Sequence, residues 1–313
     1  MSKGNFEALV KFPHHNFHLS AELVGTELPF KYEGYELKIC FPDFDSKTGK
    51  PKFHKPIFDE GLMWEVRQDY HDYFIQQHEV DNDEQLIDFL CNQFVVKSQR
   101  EMRIDSVKKV VTKLHSWQKL FISWIEVINF IDLEEQYSRI RDQNPFDVCF
   151  LREGAEPKRV KTGINTIEIM MRESALTKAD FQMALNKASS GKSPAPYFMN
   201  LMYAKKFFNE DNYRQSVIES AIACELGLAK ILKIKFPGEI TKISKNKLGL
   251  GSLCRKLKDK QVKDIDYGSV EKDINDKRIA VLHKGHSMSR TDAQSALTTC
   301  HSLIYNNFKA DIS

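Results

Sequence analysis

The segment from Arg278 to Gly285, with the sequence RIAVLHKG, carries the residue types best suited to chemistry in this chain. An arginine stands five residues before a histidine, near the end of a helical stretch that Gly285 closes. The Arg278 guanidinium is a rigid fork of donors that binds phosphate, and the His283 imidazole can take or give a proton. These two groups supply what RNA cleavage needs in the absence of a metal. An arginine five residues before a histidine is common among proteins. The function must therefore be inferred from the surrounding residues as well.

Two charged residues fall where a helical core is expected. Glu225 lies on or beside the apolar stripe of a helix predicted from residue 213 to about 234, and Arg278 occupies an apolar position in a helix predicted from 267 to 282. A buried, unpaired charge is costly, whereas a paired one is tolerated. We therefore expect Glu225 and Arg278 to face each other as a buried pair. A purely structural ion pair is the alternative interpretation.

Positive charge is concentrated before this motif. From Lys230 to Lys263 there are eleven Lys and Arg residues against Glu239 and Asp259, although the net charge of the whole chain is only +3. Such an excess attracts a polyanion such as RNA. The alternative is a solvated helix face, with lysine stems laid over apolar surface. The residues we assign to RNA binding are Lys245, Lys247, Arg255 and Lys284.

The first half of the chain is predicted to be a β-rich domain, residues 1–170, with a sensing or binding role. Short apolar or alternating runs bounded by Pro and Gly predict strands at Phe6–Phe12, Asn16–Val24, Tyr35–Phe41, Leu62–Gln68, Tyr73–His78, Asp147–Leu151 and Lys158–Ile164. Apolar spacings of three and four predict a helical insert at Ser106–Ile131. Asn82 and Asp83 predict the cap of a further helix from about Glu84.

The second half, residues 171–313, is predicted to be all helical, which makes the fold class α+β. Two potential capping boxes, Thr177-x-x-Asp180 and Ser289-x-x-Asp292, mark helix starts. The predicted helices run from Thr177 to about Ser189, from Pro196 to Phe208, from Tyr213 to Ile234, from Gly249 to Leu257, from Tyr267 to Leu282 and from Arg290 to Phe308.

Composition narrows the functional class further. The 313 residues, 42% hydrophobic and 28% charged, are typical of a globular protein that is not in a membrane, and no apolar stretch is long enough to span a bilayer. The six cysteines form no CxxC pair, and the chain does not open as a signal peptide does, so we expect a cytoplasmic protein with reduced thiols. The His14, His15 and His18 cluster lacks further ligands. The SGKS sequence at 190–193 lacks the first glycine of a phosphate-binding loop. We therefore expect no metal and no cofactor.

The helical half resembles a HEPN domain, a family of RNA-cleaving and nucleotide-binding helical modules. The matching stretches are 211–218 leading to 223–225, then 250–253, then 278–285, then the small-residue helix 292–304. The resemblance implies a HEPN-like helical bundle that cleaves RNA without a metal, usually as a homodimer in which two motifs face one another. Arg278 would then bind phosphate, His283 would act as acid and base, and Glu225 would be the acidic partner.

One position departs from the family pattern. Active members usually carry a polar residue directly after the arginine, whereas this chain has Ile279. Two functions therefore stay open. The first is a HEPN-type endoribonuclease in antiphage defence or toxin-like growth arrest. The second is a non-catalytic HEPN module that binds RNA, a nucleotide or a protein partner.

Overall fold

The computed structural model describes two compact units. Unit 1 consists of Met1–Lys119 and Leu133–Gly191, and unit 2 consists of Leu120–Asp132 and Lys192–Ser313. Within these spans, the structure describes the backbone of residues 3–4, 7–11, 17–41, 43–44, 51–52, 78–80, 86–91, 93–100, 102–133, 148–153, 156–161, 175–239 and 248–312. No helix among these residues is long and apolar enough to cross a bilayer.

The strands of the described residues all lie in unit 1. They are β1 (Lys3–Gly4), β2 (Glu7–Lys11), β3 (Phe17–Ser20), β4 (Glu27–Tyr32), β5 (Tyr35–Cys40), β6 (Asp43–Phe44), β7 (Pro51–Lys52), β8 (His78–Val80), β9 (Leu86–Cys91), β10 (Gln93–Ser98), β11 (Met102–Arg103), β12 (Val148–Glu153) and β13 (Glu156–Lys161). They form a four-stranded antiparallel sheet in the order β2-β10-β5-β4, a three-stranded antiparallel sheet β3-β9-β8, and three two-stranded pairs.

The hairpin β4–β5 illustrates why these residues form strands. Leu28, Phe30 and Tyr32 alternate with exposed residues along β4, so one face of the strand is buried. Glu33 and Gly34, both with positive φ, make the two-residue turn that joins the strands. Burial of one face and the tight turn together fix the register of the pair.

The predictions for this unit had mixed outcomes. The strands expected around β2, β3, β5, β12 and β13 are confirmed. The helix expected from about Glu84 is wrong, because β9 and β10 occupy that stretch and pair with strands on both sides. Strand β4 was missed. The predicted strand at 62–68 lies outside the described residues, as does the strand predicted at 73–78 except for His78, which begins β8.

Unit 1 also contains helical residues that pack on its sheets. Helix α1 (Ile104–Asn129) confirms the predicted helical insert, and its Trp117 stacks on Phe30 with ring centroids 4.8 Å apart. Helix α2 (Lys178–Ser189) begins with the predicted capping box of Thr177 and Asp180. Just before it, backbone hydrogen bonds join Leu176 to β3.

The first side chain of α2 to be fully buried is Phe181. Its ring contacts those of Phe17, Phe41 and Phe94, with centroids 5.9, 5.0 and 5.6 Å away. Helix α2 therefore packs with the strands, and unit 1 continues past the boundary predicted at residue 170.

Unit 2 consists of helices only, within the described part of the chain. They are α3 (Pro196–Asn209), α4 (Tyr213–Lys235), a 3₁₀ turn (Pro237–Glu239), α5 (Leu250–Asp259), α6 (Tyr267–Ser269), a π-helical segment (Val270–Asn275), α7 (Asp276–Lys284) and α8 (Arg290–Ile312). The end of α1 belongs to this unit, where the Lys206 ammonium lies 3.1 Å from the Glu126 carboxylate. Helices α4 and α8 approach closely at Gly227, where a Cβ atom would stand 2.6 Å from Ile304 Cδ1.

The helix predicted from Tyr267 to Leu282 is not continuous. Six of its residues, Val270–Asn275, adopt the wider π-helical turn between α6 and α7. Val270 and Ile274 are both buried, so the segment contributes two core side chains directly before the motif that begins at Arg278. Apolar spacing alone does not distinguish a π segment from an α-helix, and π segments are rare.

We predict that Phe181→Ala lowers the free energy of unfolding of unit 1 by about 3–5 kcal/mol, because it leaves a cavity among three phenylalanine rings. Urea denaturation followed by circular dichroism measures this. Lys178→Ala, in the same helix at an exposed position, is the control and should change stability by less than about 0.5 kcal/mol. Equal effects of the two changes would show that α2 does not pack on the sheet.

Candidate functional site

The predicted contact between Glu225 and Arg278 is present. Arg278 Nη2 lies 3.8 Å from Glu225 Oε2, which joins the middle of α4 to the first turn of α7. This distance is within the range of an ion pair but beyond that of a direct hydrogen bond. The Arg278 guanidinium is therefore held near the carboxylate without using up its donors.

The pair is less buried than expected. Its side chains are 32% exposed for Arg278 and 35% exposed for Glu225. The expectation of a buried pair is therefore wrong, because both residues sit at the edge of the apolar stripe and not in its centre. Ion pairs exposed to this degree contribute about 0–1 kcal/mol.

Glu225 has a second and shorter contact. The backbone N–H of Leu250 donates to Glu225 Oε2 over 3.2 Å. Leu250 is the first residue of α5, whose N-cap residue Gly249 offers no side-chain acceptor. The carboxylate thus satisfies one of the free N–H groups at the start of α5, where negative charge is favoured.

His283 is exposed at the last turn of α7. Within the part of the chain that the structure describes, it makes no hydrogen bond or ion pair. Five residues along an α-helix correspond to a rise of about 7.5 Å and a rotation of about 140°. The structure therefore does not turn Arg278 and His283 of one chain towards the same point.

Around the axis of α7, apolar side chains lie between Arg278 and His283. From the rotation of about 100° per residue, Leu282 follows Arg278 after about 40°, Ile279 after about 100° and His283 after about 140°. Ile279 and Leu282 are 38% and 46% exposed. An exposed apolar strip thus separates the arginine from the histidine.

Helix α4, which packs against α7, also carries exposed apolar side chains. Ile222 and Leu226 are 38% and 37% exposed and flank Glu225 in sequence. We call Ile222, Leu226, Ile279 and Leu282 the apolar patch. The apolar patch was not predicted from the sequence, although apolar residues off the buried stripe at spacings of three and four are the signal that could have revealed it.

The structure describes two of the four residues that we assigned to RNA binding. Lys245 and Lys247 lie outside the described residues. Arg255 is exposed on α5, where its Nε donates to the Gly251 carbonyl over 3.4 Å, and Lys284 is exposed beside His283. The described lysines of the basic segment include the exposed Lys230, Lys233, Lys235, Lys258 and Lys263.

Two nearby histidines, His286 and His301, do not contact Arg278. His286 is exposed after Gly285, whereas His301 packs between the rings of Phe130 and Tyr305, each 4.3 Å away. Burial, together with the Lys205 ammonium, lowers the pKa of His301. The His301 imidazole therefore contributes to packing within unit 2.

The remaining sequence features have ordinary structural positions. His18 is buried in β3, and Ser190 and Gly191 of the SGKS sequence form the turn after α2. Cys224, Cys254 and Cys300 are buried free thiols, as predicted. His14 and His15 lie outside the described residues.

A scan against protein-family models and searches of curated proteins and of solved structures found no match for this chain. Among the described residues, no group of three or more His, Cys, Asp and Glu side chains could hold a metal ion. Function must therefore be inferred from the arrangement around α7 and from the motifs of the sequence.

We predict a small coupling energy between Glu225 and Arg278. In a double-mutant cycle with Glu225→Gln and Arg278→Gln, the interaction term should be about 0.2–1 kcal/mol and should shrink in 1 M salt. Glu225→Gln alone should cost about 1 kcal/mol, because it weakens the cap of α5. Urea denaturation at two salt concentrations tests both values, and a coupling near 3 kcal/mol would contradict the half-exposed geometry.

Proposed function

We propose that unit 2 is a HEPN-like endoribonuclease that works as a homodimer and without a metal. The observation that carries the proposal is the order Arg278, Leu282, Ile279, His283 around α7. An apolar strip between a phosphate-binding group and a proton-transfer group suits a site assembled from two chains. The HEPN-like order of motifs supports the same function.

Two-fold symmetry explains how separated residues can cooperate. In a two-fold symmetric dimer, a contact between one residue of the first copy and another residue of the second copy occurs twice, with the roles of the two copies exchanged. If the apolar patches of two copies pack together, the Arg278 and His283 side chains of both copies border one shared interface. A phosphate bound there has access to groups that one chain alone does not turn towards the same point.

The chemistry uses the nucleophile that RNA itself provides. One His283 takes the proton of the ribose 2′-OH, and the 2′ oxygen attacks the adjacent phosphorus. Arg278 binds the phosphate oxygens as negative charge builds up on them. The bond from phosphorus to the 5′ oxygen breaks, and the His283 of the second protomer gives that oxygen a proton. The products are a 2′,3′-cyclic phosphate and a 5′-hydroxyl.

The surrounding charge suits an RNA substrate. Arg255, Lys284 and the exposed lysines near the ends of α4 and α5 offer cations to the phosphate backbone. Lys245 and Lys247 add to this set in the sequence. We propose that the protein acts in the cytoplasm, in antiphage defence or toxin-like growth arrest, and that unit 1 contributes sensing or binding.

A non-catalytic HEPN-like module is the second candidate. Ile279 favours it, because this residue stands where active members usually have a polar side chain and here adds to an exposed apolar surface. Such a module would bind RNA, a nucleotide or a protein partner through the same face.

We predict that the wild-type protein cleaves single-stranded RNA in excess EDTA and leaves 2′,3′-cyclic or 3′-phosphate ends. His283→Ala should reduce the cleavage rate by about 10²-fold or more, since it removes the proton-transfer group. Its affinity for RNA should stay within about twofold and should still fall with salt. End-group analysis and fluorescence anisotropy are the measurements.

His286→Ala is the matched control, because this histidine is exposed three residues later and should leave the rate unchanged. Chelator-sensitive products with 5′-phosphate ends would rule out the mechanism. Equal rates for wild type and His283→Ala, with RNA binding retained, would favour the non-catalytic module.

We predict that Leu282→Glu makes the protein monomeric and inactive together, because it places a charge in the apolar patch. Ile234→Glu is the control, since Ile234 is 59% exposed at the end of α4, outside the patch. Sedimentation equilibrium and the cleavage assay should show loss of dimer and activity only for Leu282→Glu. A monomeric wild type that cleaves RNA would contradict the two-chain site.

A further inference from the structure

Two aromatic rings and an arginine form a cluster at one end of unit 2. Phe208 lies in the last turn of α3, Tyr213 begins α4, and Arg290 begins α8. The rings of Phe208 and Tyr213 have centroids 5.8 Å apart, and Arg290 Cζ lies 5.7 Å from the Phe208 centroid. Arg290 is exposed and the two rings are half-buried, so solvent reaches all three.

Arg290 is not explained by the stability of its helix. A cation in the first turn of a helix is disfavoured by the helix dipole. The start of α8 is already capped by the reciprocal hydrogen bonds between Ser289 and Asp292. Within the described ranges, the Arg290 guanidinium has no ion pair or hydrogen bond. Its donors are therefore open while its Cζ lies within cation–π distance of the Phe208 ring.

This cation–π contact differs from the others in unit 2. Lys205 and Lys260 also lie over rings, at 4.2 and 4.5 Å from the centroids of Phe130 and Phe236. Lys205 also donates to the Phe130 carbonyl oxygen, which ties it to the backbone. An ammonium is a point charge, whereas a guanidinium is a plane that stacks on another flat group.

The cluster is close in sequence to the candidate catalytic histidine. Gly285 ends α7 in the left-handed conformation, and the His286 N–H donates a hydrogen bond to the Ala280 carbonyl oxygen. Only four residues then lead from His286 to Arg290, a span of at most about 14 Å. His283, Lys284 and Arg290 thus lie in one stretch with no acidic residue between them.

We infer that Phe208, Tyr213 and Arg290 form a stacking subsite for an unpaired base of single-stranded RNA, close to the phosphate that His283 serves. This inference rests on the proposed ribonuclease function and names how its substrate is held. Unpaired bases stack on aromatic rings and on arginine planes, whereas the bases of a duplex are already stacked. The open donors of Arg290 can reach the base edge or a neighbouring phosphate.

Fluorescence of a short single-stranded oligoribonucleotide containing 2-aminopurine tests the subsite. The parent is the full chain carrying His283→Ala, so that the RNA stays intact. Binding should quench the 2-aminopurine emission. Adding Arg290→Lys, which keeps the charge but loses the plane, should remove most of the quenching and weaken binding about tenfold, the size of one lost base stack. The salt dependence should stay the same, because the charge is retained.

Arg214→Lys is the matched control, since Arg214 is exposed on α4 beside Tyr213 but is not stacked on a ring. It should bind and quench as the parent does, and thermal unfolding should show that both variants are folded. Equal binding and quenching by Arg290→Lys and the parent would overturn the subsite. Failure of the parent to bind the oligoribonucleotide, or equal binding of a duplex, would overturn it too.

The same experiment separates this inference from the proposed function. A wild-type protein that does not cleave RNA, with quenching that depends on Arg290, would retain the subsite and reject the ribonuclease. Cleavage by wild type, with no effect of Arg290→Lys on binding, would retain the ribonuclease and reject the subsite.

Discussion

One oxygen atom of Glu225 is approached by two donors, the Leu250 N–H at 3.2 Å and the Arg278 guanidinium at 3.8 Å. The shorter contact is a hydrogen bond, and the longer one is attraction between charges. The start of α5 therefore fixes the carboxylate, and the carboxylate in turn attracts the first turn of α7. This shared acceptor therefore links α4, α5 and α7 at the candidate site.

Close packing supports the same junction. A Cβ atom on Gly251 would stand 3.4 Å from the Asn275 amide nitrogen, so the first turn of α5 lies against the last residue of the π segment. The π segment brings Val270 and Ile274 into the core immediately before Arg278. Wider turns of this kind are often found at functional sites. The candidate site therefore directly follows an irregular helical segment that packs against the first turn of α5.

The sequence predicted most of the helical unit, because apolar spacing and capping residues act locally. The boxes at Thr177 and Ser289 and the stripe of α4 are local signals, and the structure confirms them. The π segment escaped prediction, since its apolar spacing fits an α-helix equally well. Strand β9 was predicted as a helix, because its pairing with β3 depends on residues far away in sequence.

At the candidate site, the residue types predicted that Glu225 and Arg278 would be in contact, but not how deeply the pair would be buried. A stripe position places Glu225 towards Arg278, yet the exposure of the pair depends on how much of α4 its neighbours cover. The apolar patch was missed for a related reason. Ile279 was considered only as a departure from a motif, and its exposure beside Leu282 follows from the rotation of α7 in the folded unit.

The partial exposure of the ion pair bears directly on the proposed reaction. Arg278 must bind a phosphate, and a phosphate offers two oxygens to the guanidinium. Separating a fully buried pair would leave an uncompensated charge and cost several kcal/mol. Here the Glu225 carboxylate keeps the Leu250 N–H and its contact with water when the arginine turns to a phosphate. The loose pair that disagreed with our expectation of burial is therefore better suited to phosphate binding than the buried pair would be.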